Sequence, residues 1–112
     1  MAIEPGTYNF EVQRRSDHTL PLEFIGGDGN AMNLTGWTIY AQAWNKERTV
    51  KYADFSIAYT NRVLGKAEIS LSDTQTATFP DECFYDVLLE NPSGLREYYL
   101  EGIIYASEGY TA

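Results

Sequence analysis

The chain has 112 residues, 44% of them hydrophobic, and carries sixteen acidic against eight basic side chains for a net charge of −8. That length fits one domain with one core, since domains typically hold roughly 100–150 residues, and the apolar fraction excludes a disordered chain. The acidic balance argues against nucleic acid and anionic lipid as partners, and leaves solubility or a basic protein partner as its meaning.

Taken in order, Tyr8–Gln13 alternates with Tyr8, Phe10 and Val12 on one side, and Arg14-Arg15-Ser16-Asp17-His18 is a polar turn. Thr19–Ile25 alternates again through Leu20, Leu22 and Phe24, and the two runs are expected to pair as strands. Pro21 cannot donate to a ladder, so it marks an edge or a break in pairing. A glycine-rich turn follows, in which Asp28-Gly29-Asn30 has the chemistry of a tight hairpin. In the step Asn33-Leu34-Thr35-Gly36, Asn33 or Thr35 can bond nearby backbone, Leu34 points inward and Gly36 takes a positive φ. Asn33-Leu34-Thr35 also fits the glycosylation pattern, and without a secretory signal it reads as turn chemistry.

From Trp37 the period is two, with Trp37, Ile39, Ala41 and Ala43 facing one way and Thr38, Tyr40, Gln42 and Trp44 the other. This is the expected central strand, with Trp37 buried at its start. Asn45–Lys51 is a polar connector, Phe55–Tyr59 a short strand and Gly65–Leu71 another. Ser72-Asp73-Thr74-Gln75 has the form of a capping box, so one helical turn is expected before Pro80. Cys83–Glu90 and Leu95–Ser107 form a hairpin about the turn Asn91-Pro92-Ser93-Gly94. In the second of these strands Tyr98, Leu100, Gly102 and Ile104 alternate with Tyr99, Glu101, Ile103 and Tyr105. The pattern predicts one all-β domain over residues 1–112, an antiparallel, immunoglobulin-like β-sandwich of about seven to eight strands with at most one short helical turn.

Chemistry-bearing residues are sparse. One histidine, His18, sits in the polar turn, so neither a Ser-His-Asp triad nor a multi-His metal site is available. Asp28-Gly29-Asn30 lacks the later ligands of a calcium loop, and the glycines are not followed by a helix that could cradle phosphate. Cys83, the single cysteine, reads as a small apolar filler in a strand. No catalytic residue, metal or cofactor is expected. No apolar run approaches the roughly 20 residues of a membrane span, and the N-terminus has no signal-peptide pattern, so folding in a cytoplasm is expected. Tyr40, Trp44, Tyr99 and Tyr105 fall on the strand faces opposite the core and are the candidate protein interface.

The residues Gly6-Thr7-Tyr8, Asp28-Gly29-Asn30 and Asn33-Leu34-Thr35-Gly36-Trp37, followed by Gly65-Lys66, Leu71-Ser72, Tyr85-Asp86-Val87 and Leu100-Glu101-Gly102, carry a resemblance over nearly the whole chain. They resemble small tailed-phage virion proteins similar to the N-terminal domain of phage baseplate upper proteins. The resemblance implies a non-enzymatic virion protein, made in the host cytoplasm, that docks onto other virion proteins and onto copies of itself in the tail, baseplate or fibre attachment. The chain has no long C-terminal extension, so an isolated docking module is expected. A capsid decoration (cement) protein is the alternative within this class, and a carbohydrate-binding sandwich for host glycans the alternative outside it. Exposed aromatics along a groove would favour sugar, and a broad flat apolar patch a protein dock.

Overall fold

Burial alternates residue by residue along the strand Glu82–Glu90, where Cys83, Tyr85, Val87 and Leu89 are all buried and the residues between them are not. The period of two makes this the central strand of a sheet with one face on the core. The structure, a computed structural model, describes residues 6–26 and 29–108. In chain order its elements are β1 (Gly6–Thr7), β2 (Phe10–Gln13), β3 (His18–Glu23), β4 (Thr38–Trp44), β5 (Lys51–Asp54), β6 (Ser56–Asn61), β7 (Lys66–Leu71), α1 (Asp73–Thr76), β8 (Glu82–Glu90) and β9 (Arg96–Ser107).

Two sheets face each other. The larger runs β1-β9-β8-β4-β5, with β2 also on β9, and the smaller runs β3-β7-β6. Strands 9, 8, 4 and 5 on one side and 3, 7 and 6 on the other give the connectivity of an immunoglobulin-like β-sandwich. Ile39, Ala41 and Ala43 of β4 meet Ala67, Ile69 and Leu71 of β7 in one buried cluster, which Phe24, Leu34, Phe55 and Phe79 close from the loops.

Several expectations change. The Tyr8–Gln13 run does not pair with the Thr19–Ile25 run: β1 and β2 pair parallel to β9, while β3 pairs antiparallel to β7 in the other sheet. Both runs have one apolar face, and facing each other across the sandwich buries both faces where a flat hairpin would leave them side by side. The turn between them carries Arg15 at φ 64 and moves the chain from sheet to sheet. The sandwich is therefore not purely antiparallel. The expected polar connector ends at Lys51, where an additional strand, β5, begins; with β5, and with β1 separate from β2, the described residues hold nine strands.

Pro21 does stand at a sheet margin, because β3 is an outer strand of the smaller sheet. Ser72 and Gln75 form the capping box reciprocally, and α1 is the single helical turn among the described residues. No described helix is long and apolar enough to cross a membrane.

The segment before β4 follows the turn chemistry closely. Gly26 and Asn30 close a turn by backbone bonding, with Ile25 bridging Ala31 and Gly29 at φ +82; Asp28 lies outside the described residues. The Thr35 N–H donates to Asn33 Oδ1 at 3.0 Å, Gly36 adopts φ +81, and Leu34 is fully buried. Trp37 is a correction. It lies just before β4, half-buried and packed on the rim of the core rather than inside it. Its N–H closes a turn onto the Leu34 carbonyl, so the smaller Leu34 takes the interior position.

His18 also departs from expectation. It begins β3, half-buried, with its ring stacked on Phe10 at 4.9 Å, and burial lowers its pKa. Its Nε2 is buried without a hydrogen-bond partner among the described residues.

Candidate docking groove on the outer face

β4, β8 and β9 lie side by side, so the residues that alternate away from the core form a three-strand outer face. Register sets Tyr40, Leu88 and Tyr98 in one row across the strands and Trp44, Phe84 and Ile103 in another. Between them runs Gln42, Asp86 and Glu101. These residues line an open depression of about 750 Å³.

Its aromatic walls are held in place. The Trp44 indole N–H donates to Gln42 Oε1 at 2.9 Å, and the Gln42 amide donates to Asp54 Oδ1 at 2.8 Å. Asp54 in turn takes the Lys51 ammonium at 2.9 Å. At the β4–β5 hairpin the Asn45 side-chain oxygen accepts from the N–H groups of Thr49 and Val50, and Arg48 takes φ 58. That geometry lays the Arg48 guanidinium 5.4 Å from the Trp44 ring centre, while Arg96, tied to Glu90 at 2.8 Å, sits 5.6 Å from that of Tyr40. Cations over ring faces are attracted by the aromatic quadrupole.

Asp86 is the half-buried charge of the depression. Burial raises its pKa, Arg48 opposes the rise and Glu101 adds to it.

Of the four interface candidates, the structure brings two together. Tyr40, 41% exposed, and Trp44, half-buried, both stand on this face. Tyr99 does not. The β8–β9 register shifts between Val87 and Leu88, whose partners are Leu100 and Tyr98, so Tyr99 is the extra residue of a bulge. It turns inward, 4.4 Å from the Phe24 ring, and its hydroxyl donates to the Glu23 carbonyl. Strict alternation therefore chose the wrong tyrosine, and Tyr98, 51% exposed, takes the outer place.

Tyr105 is outward but pairs with Glu82, six residues along β8 from Leu88, or about 20 Å at strand rise. It borders a separate shallow depression beside Tyr8, Phe10 and His18. Phe84, Asp86 and Leu88 were legible as outer-face residues from the alternation of β8; Arg48 and Arg96, one on a hairpin and one at a strand end, had no periodic signal.

Cys83 is fully buried, and burial pushes its thiol up to about 12. No group of three or more His, Cys, Asp or Glu side chains converges as a metal site among the described residues.

No family model matches the chain, and no curated protein matches it. Among solved structures, a chain from a study titled as photo-crosslinking analyses of multimeric cell-adhesive interactions of VGSC beta subunits is similar at 13% identity. That match covers 94% of this chain and 93% of the other, with a TM-score of 0.45.

Proposed function

We propose that the chain is a non-enzymatic docking module of a tailed-phage virion, seating one structural protein on another in the tail, baseplate or fibre attachment. The observation that carries the reading is the outer face of β4, β8 and β9. There Tyr40 and Tyr98 flank Leu88 across the central strands, and no described element covers them. An exposed apolar surface rimmed by polar groups marks a contact site. The turn and core signatures Asn33-Leu34-Thr35-Gly36 and Leu100-Glu101-Gly102, which carry the resemblance to phage baseplate upper proteins, add support for the class. A stable dock buries at least about 1,000 Å² in total, so the contact extends past the groove onto neighbouring strands.

Sugar binding is the weaker reading on this face. A glycan would stack on open ring faces, whereas Arg48 and Arg96 lie over those of Trp44 and Tyr40. The double variant Tyr40→Ser/Trp44→Ser should fold and fail to enter particles. Normal assembly of that variant would defeat the proposal. Loss of glycan-array binding with assembly intact would move the reading to a carbohydrate module, and labelling on the shell rather than the tail would move it to capsid decoration.

A further inference from the structure

The middle row of the outer face has an electrostatic problem that the chain does not solve by itself. Asp86 and Glu101 are directly opposed across β8 and β9, and like charges in that position repel. Gln42, the third member of the row, is committed through its amide to Asp54 and through its oxygen to Trp44. Among the described residues neither Asp86 nor Glu101 belongs to an ion pair. Arg48 acts on Asp86 only at longer range, from its place over Trp44. Neutral residues at these two positions would leave the fold intact and relieve the repulsion. The two apolar rows on either side make the position a slot, apolar, acidic, apolar, whose β4 members Trp44 and Tyr40 carry Arg48 and Arg96 over their rings.

The rows are two residues apart along β4 and β8, a spacing of about 7 Å, and on β9 the bulge at Tyr99 takes up the one extra residue. An extended partner segment has the same spacing between its alternate side chains. Arginine suits the centre of the slot better than lysine, because its planar fork offers five donors and can bridge two carboxylates. We infer that this face receives an extended segment of a partner protein with the pattern apolar-x-Arg-x-apolar, the guanidinium over Asp86 and Glu101 and the apolar side chains on Phe84 and Ile103 of one row and Leu88 and Tyr98 of the other, beside the rings that Arg48 and Arg96 cover. This deepens the docking reading above and rests on it. The chain's net charge of −8 steers such a cationic segment toward the protein.

The test is an amide-shift NMR titration of the full chain with the peptide acetyl-Thr-Val-Thr-Arg-Thr-Val-Thr-amide and with its citrulline twin, which keeps the shape and loses the charge. Saturable shifts at Gln42, Asp86, Leu88 and Glu101 are expected with the arginine peptide, weakening as salt is raised. The Asp86→Asn/Glu101→Gln variant should bind it about tenfold more weakly, and so should the citrulline peptide to the native chain. The variant should unfold at the same temperature as the native chain or higher; if it does not, Glu101→Gln alone serves, since Glu101 is exposed. Absence of saturable shifts, shifts confined to another face, or equal binding of the citrulline peptide each overturns the inference. In the last case the apolar rows still dock and the broader proposal survives, whereas normal particle assembly by Tyr40→Ser/Trp44→Ser removes the broader proposal itself.

Discussion

The Tyr85 hydroxyl donates to the Tyr8 carbonyl at 2.5 Å, joining residues 77 positions apart. Beneath that carbonyl lies Gly102, the register partner of Tyr85, where a Cβ would stand 2.0 Å from the Tyr8 oxygen. The missing side chain is thus what lets the β1–β2 segment cross close over β9. Tyr85→Phe leaves the carbonyl unpaired and should cost about 1–2 kcal/mol. Gly102→Ala has to push backbone aside and should cost about 1–3 kcal/mol or more. Urea denaturation checks both, and a Gly102→Ala chain as stable as the native one would mean that β1 is not held at this crossing.

Leu34 and Trp37 should rank in an order opposite to their size. Leu34 is fully buried, so Leu34→Ala should cost about 3–5 kcal/mol through the cavity it leaves. Trp37 is half-buried on the rim, and Trp37→Ala should cost about 2 kcal/mol, below the roughly 3–5 typical of a fully buried tryptophan. The same denaturation series measures both. A larger loss at Trp37 would return it to the centre of the core.

Stability should fall as pH drops below the ordinary histidine range. Burial sets the folded-state pKa of His18 below its usual 6.5. Above that value both states are neutral and the contribution is complete; below it the unfolded chain takes up a proton that the folded chain resists, and stability is lost. Asp54, lowered chiefly by its bond to Lys51, and Glu108, lowered chiefly by Arg15, add losses only near and below 3.8 and 4.5. Asp86 has the opposite sign: its raised pKa favours the folded state when protonated, and the benefit disappears as pH rises through that value. Thermal unfolding between about pH 7 and pH 5 should show the His18 slope, and His18→Phe should flatten it. Asp86→Asn should raise the melting temperature at neutral pH and leave it unchanged in strong acid. A slope retained in the His18 variant would assign the titration to another group.

Cys83 should be chemically silent while the protein is folded. Its thiol is inaccessible and held protonated by burial, and the thiolate is the reactive form. A thiol reagent at neutral pH should therefore label it only at the rate of unfolding, becoming rapid in denaturant. Fast labelling of native protein would show that β8 opens locally.

What the sequence determined by itself was local. Period-two patterning marked β4, β8 and most of β9, because a strand with one buried face must alternate. Asn33, Leu34 and Gly36 announced their turn, because an Asx bond and a positive φ are properties of single residues. Ser72 and Gln75 announced the capped turn for the same reason. The tertiary structure alone decided where β2 goes, since Phe10 and Val12 can be buried by any strand that presents an apolar face, and only the free edge of β9 together with Gly102 selects the parallel pairing. It also decided which tyrosine is outside: the bulge at Tyr99 puts the residues on its two sides out of phase by one, a shift that no alternation rule contains because it depends on the partner strand. The groove itself exists only through register, which sets Asp86 against Glu101 and frames them with two apolar rows drawn from the β8–β9 hairpin and from β4, far from it in the chain.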